Sequence, residues 1–299
     1  MIRKSITVGP YWNFLKFQRI PKYAISYIEW GKTTNPNVII CVHGLARNAH
    51  DFDHLAKYLS KDFRIISIDL PGRGSSDWLA NKNHYNYHTY IKDVLLLLKA
   101  LAIPSVHWVG SSMGGIMGMA LATYYSKYIK TLTLNDVGPE LPKKTIARIE
   151  KYVNLDPSFA NTQEAEQHIR KIYKNFGITS QKDWDHITQN SIRLCSDNKY
   201  RLSYDPKITE GTSAKKAASS LDTKDFVNLW YLWDKITCPL LLIHGTKSDI
   251  LLQSTIAKMQ NSRPFELHSI DEVGHTPALI YDKDIEAIYS WLYKYKERI

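Results

Sequence analysis

Residues 106–122 read Val-His-Trp-Val-Gly-Ser-Ser-Met-Gly-Gly-Ile-Met-Gly-Met-Ala-Leu-Ala. The run 106–109 is short, apolar and bounded by a turn, as expected of a strand buried on both faces of a parallel sheet. The stretch that begins at Gly115 is rich in small apolar residues and helical in pattern. Between them, Gly110-Ser111-Ser112-Met113-Gly114 fits G-x-S-x-G in the strand-turn-helix context that this motif requires. A serine in so sharp a turn sits in strained backbone geometry, tolerates only small neighbours and projects its hydroxyl above the sheet. A glycine-rich turn that merely lets helix and strand pack is the plainer reading, and the context favours Ser112 as a nucleophile over it.

Outward from the motif, two hydrophobic periods alternate. Residues 24–30 alternate as a half-exposed strand, and residues 31–37 form a turn rich in Gly, Pro and Asn. Residues 38–42 and 65–70 are predominantly apolar runs like 106–109. Helical stretches cover 50–59 and 87–101, the second with Ile91, Val94, Leu95 and Leu98 at helical spacing. Strands follow at 131–135, 239–243 and 265–270, and an amphipathic helix closes the chain over 283–295. Such alternation predicts an α/β fold with a mostly parallel central sheet flanked by helices. Residues 140–235 break the rhythm. They are polar and helical in pattern, so they read as an insertion into a sheet domain made of 1–139 and 236–299, with residues 211–220 as a mobile loop.

A serine hydroxyl is a weak nucleophile and needs a base, which in turn needs an orienting carboxylate. His275, in Gly274-His275-Thr276-Pro277, follows the last predicted strand, and Asp249 follows the strand at 239–243. Both fall at the carboxyl ends of parallel strands, where open α/β sheets bind ligands. They are the expected base and acid, although Asp249 also suits a helix N-cap before Ile250. Asp136, after the strand at 131–135 and next to Gly138-Pro139, reads as an Asx turn. The backbone N–H groups of Leu45 and Met113 are the expected oxyanion donors, and His43 reads as a loop-shaping hydrogen-bonding residue.

His43-Gly44, the Asp69-Leu-Pro-Gly-Arg-Gly74-Ser75 turn, the serine motif, Asp249 and Gly274-His275 together resemble the α/β-hydrolase superfamily. The likeness spans residues 24 to 295 and implies that 140–235 is that family's cap. Within the superfamily, Ser rather than Asp at 112 points away from haloalkane dehalogenases and epoxide hydrolases. Asp136 occupies a position from which some members draw the catalytic acid.

Composition narrows the function classes. Lys+Arg 39 against Asp+Glu 29 gives a formal charge of +10, which invites a nucleic-acid reading. The basic residues are scattered singly or in pairs and interspersed with acids, so no nucleic-acid partner is expected. No apolar run approaches the ~18 residues of a membrane span, and no signal-peptide core follows Met1, so integral membrane association is not expected and the cytoplasm is the expected compartment. Cys41, Cys195 and Cys238 lie far apart with no ligand spacing and read as buried thiols.

The expectation is therefore a serine hydrolase of a small carboxylic ester or thioester, with neither metal nor organic cofactor. The alternatives are a carbon–carbon bond hydrolase using the same residues and a non-catalytic small-molecule receptor. An aromatic roof from the insertion would limit the acyl chain to short lengths.

Overall fold

The computed structural model describes residues 1–13, 18–211 and 222–296. Nearly all of the 211–220 stretch read as a mobile loop lies outside the described residues.

An eight-stranded sheet organises the chain. Its strands are β1 (Ile2–Val8), β4 (Tyr23–Trp30), β5 (Val38–Val42), β6 (Arg64–Ile68), β7 (Val106–Ser111), β8 (Ile129–Asn135), β14 (Leu240–Gly245) and β15 (Glu266–Ile270). They lie in the order β1-β4-β6-β5-β7-β8-β14-β15. From β6 to β15 every pairing is parallel, while β1 and β4 add an antiparallel edge. Between β1 and β4 lie β2 (Tyr11–Asn13) and β3 (Gln18–Ile20), which pair with each other.

The predominantly apolar runs are explained by helices on both faces. In β5, Ile39 and Cys41 point into a core shared with α1 (Asp53–Leu59) and α9 (Asp282–Lys294), where Leu55, Leu59, Ile288 and Trp291 are buried. Val38, Ile40 and Val42 face the opposite core, shared with α2 (Tyr87–Ala100), α3 (Met113–Tyr124) and α8 (Gln253–Ser262). Two-sided burial removes the need for any polar position in such a strand.

Two expectations change. β4 is buried at Ile25, Tyr27 and Ile28 rather than half exposed, because β1, which the periodicity did not announce, occupies the sheet edge beside it. Of the three cysteines, all free, only Cys41 is fully buried.

The block between β8 and β14 carries α4 (Lys143–Val153), α5 (Thr162–Tyr173), α6 (Gln181–Ser191) and α7 (Trp230–Trp233). Among its described residues are also five short strands. β9 (Glu140–Pro142) pairs with β13 (Phe226–Asn228), and β12 (Tyr200–Leu202) pairs with both β10 (Ser158–Phe159) and β11 (Ile192–Leu194). The α4 and α5 helices each present one apolar stripe, Ala165, Ile169 and Tyr173 being buried along α5. Among the described residues no helix is long and apolar enough to cross a membrane.

Candidate active site

Ser112 stands between β7 and α3 with φ 49° and ψ −112°, a backbone conformation that side-chain-bearing residues rarely adopt. Its flanking glycines are required by close approach. A Cβ on Gly110 would lie 2.3 Å from the Gly114 carbonyl oxygen, and one on Gly114 would lie 2.1 Å from the Val42 carbonyl oxygen. Helix α3 can therefore start directly against β5 and β7, with Ser112 at its head. The Ser112 amide is tied to the Asn135 carbonyl at the end of the neighbouring strand β8.

The next residue after β8 is Asp136, also at positive φ (57°), wholly buried. Its carboxylate accepts the Nδ1–H of His275 at 2.8 Å, and His275 Nε2 accepts the Ser112 hydroxyl at 2.9 Å. Further donors surround the carboxylate: His244 Nδ1–H at 3.0 Å, the Gly245 amide at 3.1 Å and the Ser248 hydroxyl at 2.5 Å. Burial alone would raise the Asp136 pKa, but hydrogen bonds from His244, His275 and Ser248 outweigh it and hold the carboxyl below its ordinary value. The group is thus a carboxylate that fixes the His275 tautomer.

Asp249, the acid expected from the sequence, does not reach His275. Its carboxylate pairs with Arg148 of α4 at 2.5 Å, with both side chains more than half exposed. Nor does it cap the following turn: the Ser248 hydroxyl accepts the Ile250 and Leu251 amides. The Asx-turn reading of Asp136 is corrected as well, since its side chain is spent on the histidines and Ser248. His244 and Ser248 carried no motif, and only their place at the end of β14, beside β8, could have drawn attention to them.

The remaining expected residues gather at the same edge. Leu45 and Met113 line one cavity together with Ser112. His43 is buried beneath them, donating Nδ1–H to the Gly44 carbonyl at 2.6 Å and accepting the Leu70 amide at Nε2. Burial, with Arg73 and Arg47 nearby, pushes its pKa down to about 3, so it stays neutral and shapes the loop as expected.

The cavity has a volume of about 920 Å³. It extends from Ser112 along the facing sides of two helices, lined by Tyr87, Ile91 and Leu95 of α2 and by Ile116, Ala120 and Tyr124 of α3. At 1.5 Å rise per residue, the length of α3 makes the groove roughly 17 Å long. The insertion roofs it mainly with aliphatic groups, among them Ile146, Ile149, Val227 and Leu232. Of the insertion's aromatic residues, Tyr231 lines the groove, whereas Trp230 and Trp233 pack edge-to-face and Tyr173 packs at a tilt against Phe176. A roof over a short acyl group needs much less space than this. Among the described residues no group of three or more His, Cys, Asp or Glu side chains could hold a metal ion.

A mostly parallel sheet with an inserted cap, and a serine on its strand-to-helix turn, define a known class. The chain belongs to the α/β-hydrolase superfamily: the family model for the alpha/beta hydrolase fold matches residues 37–279. It is 33% identical to the 3-hydroxybutyrate-oligomer hydrolase of Cupriavidus necator, over 86% of this chain and 89% of that one. A solved structure from Rickettsia typhi superposes with a TM-score of 0.91 at 44% identity, covering 98% of this chain and 99% of the other. An alpha/beta hydrolase from Novosphingobium aromaticivorans gives 0.82 at 29% identity, over 98% of each chain. Fold and relatives together support a hydrolytic enzyme.

Proposed function

We propose that the chain is a serine hydrolase that cleaves a linear carboxylic ester or thioester through an acyl intermediate on Ser112, with Asp136 rather than Asp249 as the acid. The observation that carries this reading is the unbroken hydrogen-bonded line from Ser112 through His275 to Asp136 at the head of an apolar groove.

In the proposed reaction, His275 Nε2 takes the Ser112 proton as Oγ attacks the carbonyl carbon, then returns it to the leaving alcohol or thiol. Water attacks the acyl carbon by the same route in reverse and frees Ser112. Asp136 stabilises the imidazolium and keeps Nδ1 protonated throughout. The N–H groups of Leu45 and of Met113, the first residue of α3, take the oxyanion, the latter with the helix N-terminus behind it. Residues 140–235 act as the cap over a core made of 1–139 and 236–299.

For the substrate, the groove supports a chain of about fourteen to fifteen backbone atoms, at roughly 1.1–1.2 Å of extended length each across about 17 Å. A short oligoester of a hydroxy acid has this shape, and the Cupriavidus relative bears the name of such an activity. The test is a fluorophosphonate probe with peptide mapping, together with turnover of p-nitrophenyl esters from acetate to palmitate and of 3-hydroxybutyrate dimer to pentamer. Labelling at Ser112 with best turnover at intermediate lengths supports the reading. Absence of labelling, or cleavage of a vinylogous diketone with no ester turnover, overturns it.

A further inference from the structure

Arg73 lies in the turn Asp69-Leu-Pro-Gly-Arg-Gly74, and its side chain is wholly buried beside the site. A buried guanidinium is costly to desolvate and is ordinarily offset by a carboxylate. Here none stands within 4 Å: among the described residues, Arg73 forms no salt bridge. It donates instead from Nε to the Leu45 carbonyl at 2.9 Å, and from Nη1 to the Pro71 carbonyl and the Tyr90 hydroxyl, both at 2.7 Å. Nη2 points to the Met113 thioether at 4.0 Å, and the Tyr90 ring lies 5.1 Å from the guanidinium carbon. One rigid planar fork thus touches both residues proposed to hold the oxyanion.

We propose that Arg73 is a positioning residue for the oxyanion site. Fixing the Leu45 carbonyl on one side sets the plane of that loop, and the contact to Met113 braces the head of α3 against the same group. Its positive charge, in direct contact with no carboxylate, also favours negative charge developing nearby. An ammonium could supply that charge but not the fork that spans several acceptors. Arg73 also disfavours the protonated form of His43, buried beneath the site. This inference rests on the reading of Leu45 and Met113 as oxyanion donors.

The test compares wild type with Arg73→Lys and Arg73→Ala, each first shown to fold by circular dichroism. Arg73→Ala should lower kcat about 100-fold, the order seen when one oxyanion donor is lost, with KM nearly unchanged. Affinity for a boronic acid, which mimics the tetrahedral species on Ser112, should fall by a similar factor. Added guanidinium ion should restore part of the activity of Arg73→Ala, and Arg73→Lys should retain intermediate activity. If wild type and variants alike react at Ser112 with fluorophosphonate but kcat and boronate affinity do not change, the inference falls while the nucleophile stands. If KM rises with kcat and boronate affinity unchanged, Arg73 serves substrate binding and the inference also falls. If wild type shows no Ser112-dependent reaction, the proposed function fails first and takes this inference with it. Should Arg73→Ala not fold, Arg73→Lys carries the test: full activity and full boronate affinity there would overturn the need for the fork.

Discussion

Asp136 and His275 lie 139 positions apart in the chain, yet the aspartate Oδ2 is 2.8 Å from the histidine Nδ1. The contact exists because β8 and β14 are neighbours in the sheet: the Asp136 amide bonds the Ile243 carbonyl, and the loop after β15 folds back over both strand ends. The cap braces that loop, since the Gly274 and Ala278 amides donate to the Asn175 and Phe176 carbonyls.

The two aspartates should separate sharply by mutation. Asp136→Asn should lower kcat by about 10⁴-fold, as when a triad histidine is left in the wrong tautomer. Asp249→Asn should stay within about twofold of wild type and cost under about 1 kcal/mol of stability, because it breaks only an exposed ion pair. Steady-state kinetics on any turned-over ester decides this, and the opposite ranking would return the role to Asp249.

Ser112→Ala removes one oxygen from a strained but well-packed turn. Probe labelling and ester turnover should vanish while the denaturant midpoint remains close to wild type. Labelling that persists, or that moves to Ser111, would show the nucleophile to be elsewhere.

Gly114→Ala tests the close packing that seats the serine. Its Cβ would meet the Val42 carbonyl oxygen at 2.1 Å, backbone that cannot yield without moving β5. A loss of about 3 kcal/mol in urea unfolding is expected, with activity lost as well. A variant as stable as wild type would mean that the head of α3 is less tightly held than these distances require.

A pH effect on stability is expected from Asp93, on α2. Burial raises its pKa to about 7, against the lowering effect of hydroxyl donors from Tyr23 and Tyr11 and of the nearby Lys92. The unfolded chain ionises this group near the ordinary value of 3.8. Between those values the unfolded state binds fewer protons, so the Asp93 contribution to stability declines as pH rises and levels off above about 7. Urea midpoints of wild type minus Asp93→Asn, measured from pH 4 to 8, should fall with that slope. A flat difference would place the folded pKa close to the unfolded one.

What could be read from the chain alone was whatever depends on near neighbours. The strand-turn-helix around Ser112 is dictated locally, by a buried apolar run, two glycines and a helix of small residues. Strand 38–42 announced itself because burial on both faces leaves no polar interruption, and 106–109 carries only one, the buried His107. The placing of His275 at the sheet edge beside Ser112 was legible from its position just past the last strand. β1 was not, because an edge strand with one exposed side keeps only weak alternation. The short strands of the insertion escaped for a related reason, since pieces of two or three residues carry no period.

Which aspartate meets His275 belonged to tertiary structure. Asp136 and Asp249 follow adjacent parallel strands, so their order in the sequence places both at the same sheet edge. The left-handed backbone at Asp136 turns its carboxylate inward toward five side-chain and backbone donors, whereas Arg148, from a helix about a hundred residues earlier, holds Asp249 at the surface. Sequence position specifies which strand ends a side chain follows; only the packed fold supplies the partners that decide where its charge is held.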